Sequence, residues 1–291
     1  TKTRLKPAPP ALLGQVGIQA LISMKMEDRN CNFNVGPILK EPHWKAFASR
    51  PVAEGPNHIA LPHGQQKLAF TLERVLSDAE CNTLVEAAEQ VGFGTAGIGG
   101  ETQVVNRQIR SSTRILSDDP RLAAELWSRV CEHVPVVREG RRVLGLNERL
   151  RFLRYTEGQH FAAHYDGVFV RHGTSNRTLF TLQLYLNASA TGGATRFVSG
   201  KPDKDVDCAP LQGRALVFAH NILHEGAVVT GGVKYTIRTD IEYGECSLLA
   251  VLQGALGFGR SPAQNRQRAT WLTSLAAAVL ILWGLVRVAR M

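Results

Sequence analysis

A chain of 291 residues can bury a sizeable core, in one domain or two. Its net charge of +9 is carried by its ends: Lys2, Arg4, Lys6 and Lys25 before residue 27, and Arg260, Arg266, Arg268, Arg287 and Arg290 after residue 245, with no acid in either stretch. The 25 bases and 25 acids between them cancel, which argues against a nucleic-acid reader, whose positive charge concentrates on its folded domain. Five widely spaced cysteines, Cys31, Cys81, Cys131, Cys208 and Cys246, contain no Cys-x-x-Cys. They argue against a disulfide framework or a zinc site and fit a reducing compartment.

Eight of the 13 prolines fall at or before Pro62, so residues 1–65 read as an irregular lead. Its acid-free opening resembles a targeting peptide, although one arginine and few serines match that pattern poorly. From residue 66 to 245 the texture is that of a folded domain. Ser77-Asp78-Ala79-Glu80 is a capping box with Gly92 as a stop, which predicts a helix over that span. Asp118-Asp119-Pro120 opens a second helix running towards His133, with proline in its first turn. Beyond Asn147 the apolar runs are short and separated by Gly, Asn, Asp and Pro, as in an all-β sandwich or barrel. The fold expected is therefore mainly β with flanking helices, a jelly roll (double-stranded β-helix) braced by amino-terminal helices, its core at about 148–243.

His164-Tyr165-Asp166 is followed 58 residues after the aspartate by His224, then by Lys234 and Arg238. Two imidazoles and a carboxylate can occupy one face of an octahedral iron(II) and leave three positions for a cosubstrate and dioxygen. The His-x-Asp spacing suits a strand, on which His164 and Asp166 share a face and Tyr165 points away. The third ligand then has to come from a distant strand folded back beside the first.

The surroundings of the triplet are specific. Arg154-Tyr155-Thr156-Glu157-Gly158-Gln159-His160-Phe161 precedes it; Tyr185-Leu186-Asn187, Gly192-Gly193-Ala194-Thr195-Arg196-Phe197, Gly213-Arg214-Ala215-Leu216-Val217-Phe218 and His224-Glu225-Gly226 follow. From about Ile109 to Tyr243 this order resembles the prolyl 4-hydroxylase branch of the 2-oxoglutarate, iron(II)-dependent dioxygenases, and Arg110-Ser111-Ser112 looks like the Arg-x-Ser that opens the catalytic region there. The resemblance implies His164, Asp166 and His224 as iron ligands and Lys234 as the partner of the far carboxylate of 2-oxoglutarate. It also places Tyr185 on that carboxylate, Tyr155 near the metal, Thr195 in the pocket wall and Arg238 as a helper to Lys234. His160 and His220, each four residues before a proposed ligand, would share a helix face with it, but the flanking runs read as strands, so both are expected to support the ligands from behind or to be structural.

The chemistry so implied is hydroxylation with dioxygen (O2) and 2-oxoglutarate, giving succinate and carbon dioxide, with L-ascorbate as a helper that returns stray ferric iron to ferrous. Peptidyl proline is the acceptor the resemblance suggests. A membrane-tethered sensor that binds iron or 2-oxoglutarate without turnover is an alternative, against which the complete triad and Lys234 count. A nucleic-acid demethylase is a third, weakened by the neutral central segment.

Residues 246–269 read as a linker, and 270–288 as a carboxyl-terminal hydrophobic helix. Thr270 to Val286 is 17 residues without a charge, with arginines outside it and Trp271 and Trp283 towards its ends. As a helix it would reach about 25 Å, at the short end for a hydrocarbon core of about 30 Å, and flanking arginines can snorkel outward. With five residues beyond it, a tail anchor leaving the catalytic domain in the cytosol is expected; a buried or partner-binding helix is the alternative.

Overall fold

The computed structural model describes residues 34–245 apart from 49, 63–66, 100–102 and 189–190. The larger sheet runs β1 (Glu54–His58), β2 (Ala69–Glu73), β13 (Ala215–Ala219), β9 (Arg177–Tyr185), β16 (Lys234–Glu245), β7 (Arg149–Tyr155), β4 (Thr113–Asp118), β3 (Gly94–Thr95). A hairpin of β5 (Val137–Arg138) and β6 (Arg141–Leu146) joins it where β6 pairs with the end of β16. The smaller sheet runs β12 (Val206–Cys208), β11 (Thr195–Phe197), β14 (His224–Gly226), β8 (Phe161–His164). A short ribbon pairs β10 (Thr191–Gly192) with β15 (Val229–Gly231). From β7 onward the chain passes back and forth between the two sheets, β7, β9, β13 and β16 in the larger and β8, β11, β12 and β14 in the smaller. That winding is the jelly roll expected from the run of short strands.

The strand sequences explain the layering. Ala215-Leu216-Val217-Phe218-Ala219 is buried at every position, the continuous apolar run of a strand covered on both faces. Phe70, Leu72, Phe180, Leu182, Leu184, Ile237 and Ile241 belong with it to one hydrophobic core. Two helices cover the outside of the larger sheet's far end with Leu84, Leu122 and Leu126, all fully buried. The first, α1 (Asp78–Val91), has the capping box anticipated: Ser77 Oγ accepts from the Glu80 amide, the Glu80 carboxylate accepts from the Ser77 amide, and Gly92 follows at φ +80°. The second, α2 (Pro120–Val130), begins where Asp119 caps the Leu122 amide and ends short of His133.

The proline-rich lead is more ordered from Asn34 than its composition suggests. Pro42 sits in the first turn of a 3-10 helix, Glu41–Phe47, and Ile38, Leu39 and Phe47 enter the main core. Glu54–His58 then adds an edge strand against β2.

Glu80 has a second task. Its carboxylate takes both arms of Arg129, at 2.7 and 2.9 Å, and Arg129 also reaches Glu125 and the Val75 carbonyl. Both side chains of the Arg129–Glu80 pair are essentially buried. Truncating one member leaves an uncompensated charge, so Arg129→Ala is expected to destabilise the protein by about 3–5 kcal/mol, measured by urea denaturation.

Among the described residues no helix is long and apolar enough to cross a membrane. The hydrophobic segment at 270–288, the linker at 246–269 and residues 1–33 lie outside the described residues.

Candidate active site

Strands β8 and β14 are antiparallel neighbours, and His164 and His224 are register partners across them. The distant strand required for a third ligand is thus β14, and it sets the two imidazoles side by side with ring centroids 4.4 Å apart. Strand β8 stops at His164, earlier than the His-x-Asp spacing implied, but alternation continues past its end. Tyr165 turns outward at 61% exposure, while Asp166 turns inward to 7%. The Asp166 amide donates to the His220 carbonyl at 3.1 Å, a bond that docks the loop in place of a ladder contact.

The ring nitrogens have fixed roles. Nδ1 of His164 donates to the Ala162 carbonyl at 2.8 Å, and Nδ1 of His224 to the Ile222 carbonyl at 3.0 Å. Each bond leaves the Nε2 lone pair free and fixes the ring direction, as in metal-ligating histidines. Both Nε2 atoms lie 3.6 Å from the Asp166 carboxylate, His164 from Oδ1 and His224 from Oδ2. Three acceptor groups, with their ligand atoms all within 4.8 Å of one another, converge in a largely buried space. Only a cation between them turns that repulsion into attraction.

The charge states agree. Burial pushes the His224 imidazole down to about 4, so it is neutral near pH 7. Burial pushes the Asp166 carboxyl up, but the Arg238 guanidinium beside it outweighs that and holds the group well below its usual range. Phe161 stacks on His164 at 3.7 Å, Phe218 meets His224 edge-on at 4.6 Å, and the Arg110 guanidinium caps Phe161 at 4.5 Å. These contacts lock the imidazoles and dry the space around them.

Lys234 opens β16 on the same pocket, 3% exposed. Its Nζ donates to the Gly193 carbonyl at 2.5 Å and faces the rings of Tyr155 and Tyr185 at 5.2 and 5.7 Å. Among the described residues no carboxylate lies within ion-pairing distance of it, and burial pushes its pKa down to about 8. A buried cation without a counter-ion on a pocket wall fits the far carboxylate of a dicarboxylic acid. The Gly-Gly turn serves this cation: at Gly193, with φ +66°, a Cβ would come within 3.2 Å of the Lys234 stem.

The structure brings Tyr155, Thr195 and Arg238 to the pocket lining with Lys234 and the triad. Tyr185 lies beneath the lining, and its hydroxyl donates to Thr195 Oγ1 at 2.8 Å, which also accepts from Gln183 Nε2 at 2.8 Å. Its hydroxyl proton is thereby engaged, and it supports Thr195. Arg238 lies 2.9 Å from Asp166 and 3.2 Å from Asp240. His160 is held outside the triad by Ser111 and the Gln108 carbonyl, and His220 lies 3.6 Å from Asp240, so neither joins the convergent set.

Sequence reasoning passed over Thr181, which donates to Asp166 Oδ2, and Gln183, Phe218 and Asp240. Strand alternation carries a signal for the first two, because Thr181 and Gln183 share the Tyr185 face of β9. Asp240 shares the Lys234 and Arg238 face of β16 in the same way.

A jelly roll with two histidines of adjacent strands and an aspartate around one point has the donor set of the non-haem iron(II) oxygenases. Residues 150–239 match the family model described as the 2OG-Fe(II) oxygenase superfamily. The chain is 27% identical over 200 residues to prolyl 4-hydroxylase 2 of Arabidopsis thaliana, covering 58% of this chain and 64% of the relative. It is 26% identical over 160 residues to the probable prolyl 4-hydroxylase 11 of the same plant, covering 52% and 53%. The chain thus spans between about half and two-thirds of the length of these relatives. Among solved structures it is similar to the viral collagen prolyl hydroxylase of Paramecium bursaria Chlorella virus-1, with TM-score 0.45, 22% identity and coverage of 60% and 95%. A Pseudomonas putida prolyl-4-hydroxylase gives TM-score 0.43, 17% identity and coverage of 62% and 93%. Over residues 150–239 the chain is thus similar to the 2OG-Fe(II) oxygenases, and the curated relatives it matches are prolyl 4-hydroxylases; both findings support a 2-oxoglutarate-dependent dioxygenase.

Proposed function

We propose that the protein is a hydroxylase that consumes 2-oxoglutarate and dioxygen at a non-haem iron(II), releases succinate and carbon dioxide, and acts on a peptidyl residue such as proline. The observation that carries this reading is one pocket holding both a convergent, cation-deficient His164, Asp166, His224 set and a buried, anion-deficient Lys234. Each deficiency is of the sign that one half of the iron(II) and 2-oxoglutarate pair supplies.

When bound, iron(II) with 2-oxoglutarate provides the activation of dioxygen and the oxidative decarboxylation that hydroxylation needs; L-ascorbate keeps the metal ferrous. The chain's share is placement. His164, Asp166 and His224 would hold the metal, and Lys234 would orient the cosubstrate through its far carboxylate. Thr195, fixed by Tyr185 and Gln183, shapes the wall, and Tyr155 and Phe161 exclude water. Aerobic incubation with iron(II), labelled 2-oxoglutarate and proline-containing peptides tests the proposal. A mass gain of one oxygen on the acceptor with matching release of labelled carbon dioxide is the expected result; release without any acceptor gain across peptides points to another acceptor class, and binding without release leaves the sensor.

We further propose that residues 270–288 anchor the protein in a membrane with the catalytic domain facing the cytosol. Thr270, Thr273, Ser274 and Gly284 are the only relief from apolarity between Thr270 and Val286, too little for a water-facing helix surface. The full chain is expected to sediment with membranes and to resist alkaline carbonate, whereas a chain ending at Gly259 is expected to stay in the supernatant. Extraction of the full chain by carbonate would leave the segment as a packing or partner-binding helix.

A further inference from the structure

We propose that Arg238 is a positioning residue for the Asp166 carboxylate, held in place by Asp240 and Arg151, and is not a cosubstrate contact; this rests on reading the triad as an iron site. Arg238 and Lys234 share one face of β16, four residues and about 13 Å apart along the strand. Their surroundings divide their roles. Lys234 has no anionic partner among the described residues, whereas the Arg238 guanidinium is shared between two carboxylates, Asp166 Oδ1 at 2.9 Å and Asp240 Oδ1 at 3.2 Å. A cation already neutralised on two sides has little left to offer a dicarboxylate. One without a counter-ion has everything.

The contacts around Arg238 close into a ring. Asp240 receives Arg151 Nη1 at 3.1 Å and lies 3.6 Å from His220 Nε2. The carbonyl of that same His220 accepts the Asp166 amide at 3.1 Å. Asp166 is therefore held through its backbone by His220 and through its side chain by Arg238, and both holders meet at Asp240. Thr181 donates to Oδ2 while the Arg238 guanidinium forms an ion pair with Oδ1 at 2.9 Å, so each carboxylate oxygen has a partner of its own. The strand β8 has already ended at His164, which leaves Asp166 without ladder bonds of its own. The ring supplies the rigidity that regular structure provides for His164 and His224.

An arginine beside a metal site also repels the metal, which opposes the proposed effect. Here Asp240 accepts a hydrogen bond from the same guanidinium and mutes that repulsion, while the 2.9 Å ion pair still fixes the position of Oδ1. Orientation therefore outweighs repulsion. Outer partners of metal ligands commonly change affinity by about 10–100-fold when removed.

The test uses the full chain with Arg238→Met, Arg238→Lys and Asp240→Asn. Manganese(II) or iron(II) affinity is measured without oxygen by calorimetry, the bound manganese by paramagnetic resonance, and 2-oxoglutarate affinity on metal-saturated protein. Arg238→Met is expected to weaken metal binding by about 10–100-fold and to broaden the manganese signal, with 2-oxoglutarate affinity within about twofold of the parent; Arg238→Lys restores part of the loss. If Arg238→Met does not fold, Asp240→Asn and Arg238→Lys decide the matter by a smaller change of the same sign. Unchanged or tighter metal binding, or a loss confined to 2-oxoglutarate, overturns the proposal. Equal metal affinity in the parent and in His224→Ala overturns the iron-site reading itself, and this inference with it.

Discussion

His164→Ala and His224→Ala proteins are expected to lose iron binding and 2-oxoglutarate decarboxylation while keeping the fold. Each histidine is one of three groups converging on a single point, so its loss should weaken iron binding by more than about 100-fold, beyond the range seen on removing outer partners. Stability should hardly suffer. In the absence of a cation the three acceptors repel, and deleting one relieves that repulsion, offsetting part of the cavity left by the imidazole. His164 stacks on Phe161, outside the main core, whereas His224 meets Phe218 of that core edge-on, so the larger packing loss is expected for His224→Ala. Iron content by elemental analysis, decarboxylation by labelled carbon dioxide and thermal unfolding together check the expectation. His160→Ala and His220→Ala proteins, by contrast, should retain stoichiometric iron. Loss of iron from these two variants and not from the first two would sink the assignment.

Local chemistry explains which parts were legible in the sequence. The cap at Ser77 and Glu80 and the stop at Gly92 are interactions within a few residues, so the limits of α1 could be read directly. His164 and Asp166 were legible because strand alternation fixes their common face, and it persists even though β8 ends between them. Other features depend on partners far along the chain. Arg238 forms an ion pair with Asp166, 72 residues away, and its link to Asp240 becomes meaningful only once Arg151 and His220 are seen beside the same carboxylate. Tyr185 shows the same limit: its position in the motif suggested a cosubstrate contact, while the burial of the ring beneath Thr195 turns its hydroxyl to that neighbour. The packing of Ile38, Leu39 and Phe47 was masked by the prolines around them, because composition reports irregular backbone and says nothing about what that backbone buries.

Lys234→Met separates cosubstrate binding from stability most sharply. On the proposed reading, the Lys234 cation would meet the far carboxylate of bound 2-oxoglutarate in a buried setting, and truncating one member of such a pair costs about 2–5 kcal/mol. The 2-oxoglutarate requirement should therefore rise by about 100-fold or more, with iron affinity little changed. Without cosubstrate the sign reverses. Burial lowers the lysine from 10.5 to about 8, so between those two values the unfolded chain binds a proton that the folded chain has released. Stability then increases with pH across that window, and below pH 8 the folded protein carries the full penalty of the buried charge, on the order of 3 kcal/mol. Methionine has a similar length and no charge, so the variant should be more stable than the parent at pH 7 and should lose the increase between pH 8 and 10.5. Urea denaturation at pH 7 and near pH 10, with and without 2-oxoglutarate, makes the comparison, because the ligand should stabilise the parent and leave the variant unaffected. A variant that binds 2-oxoglutarate as tightly as the parent would transfer the carboxylate to another group in the pocket, and Arg238 would be the first to examine.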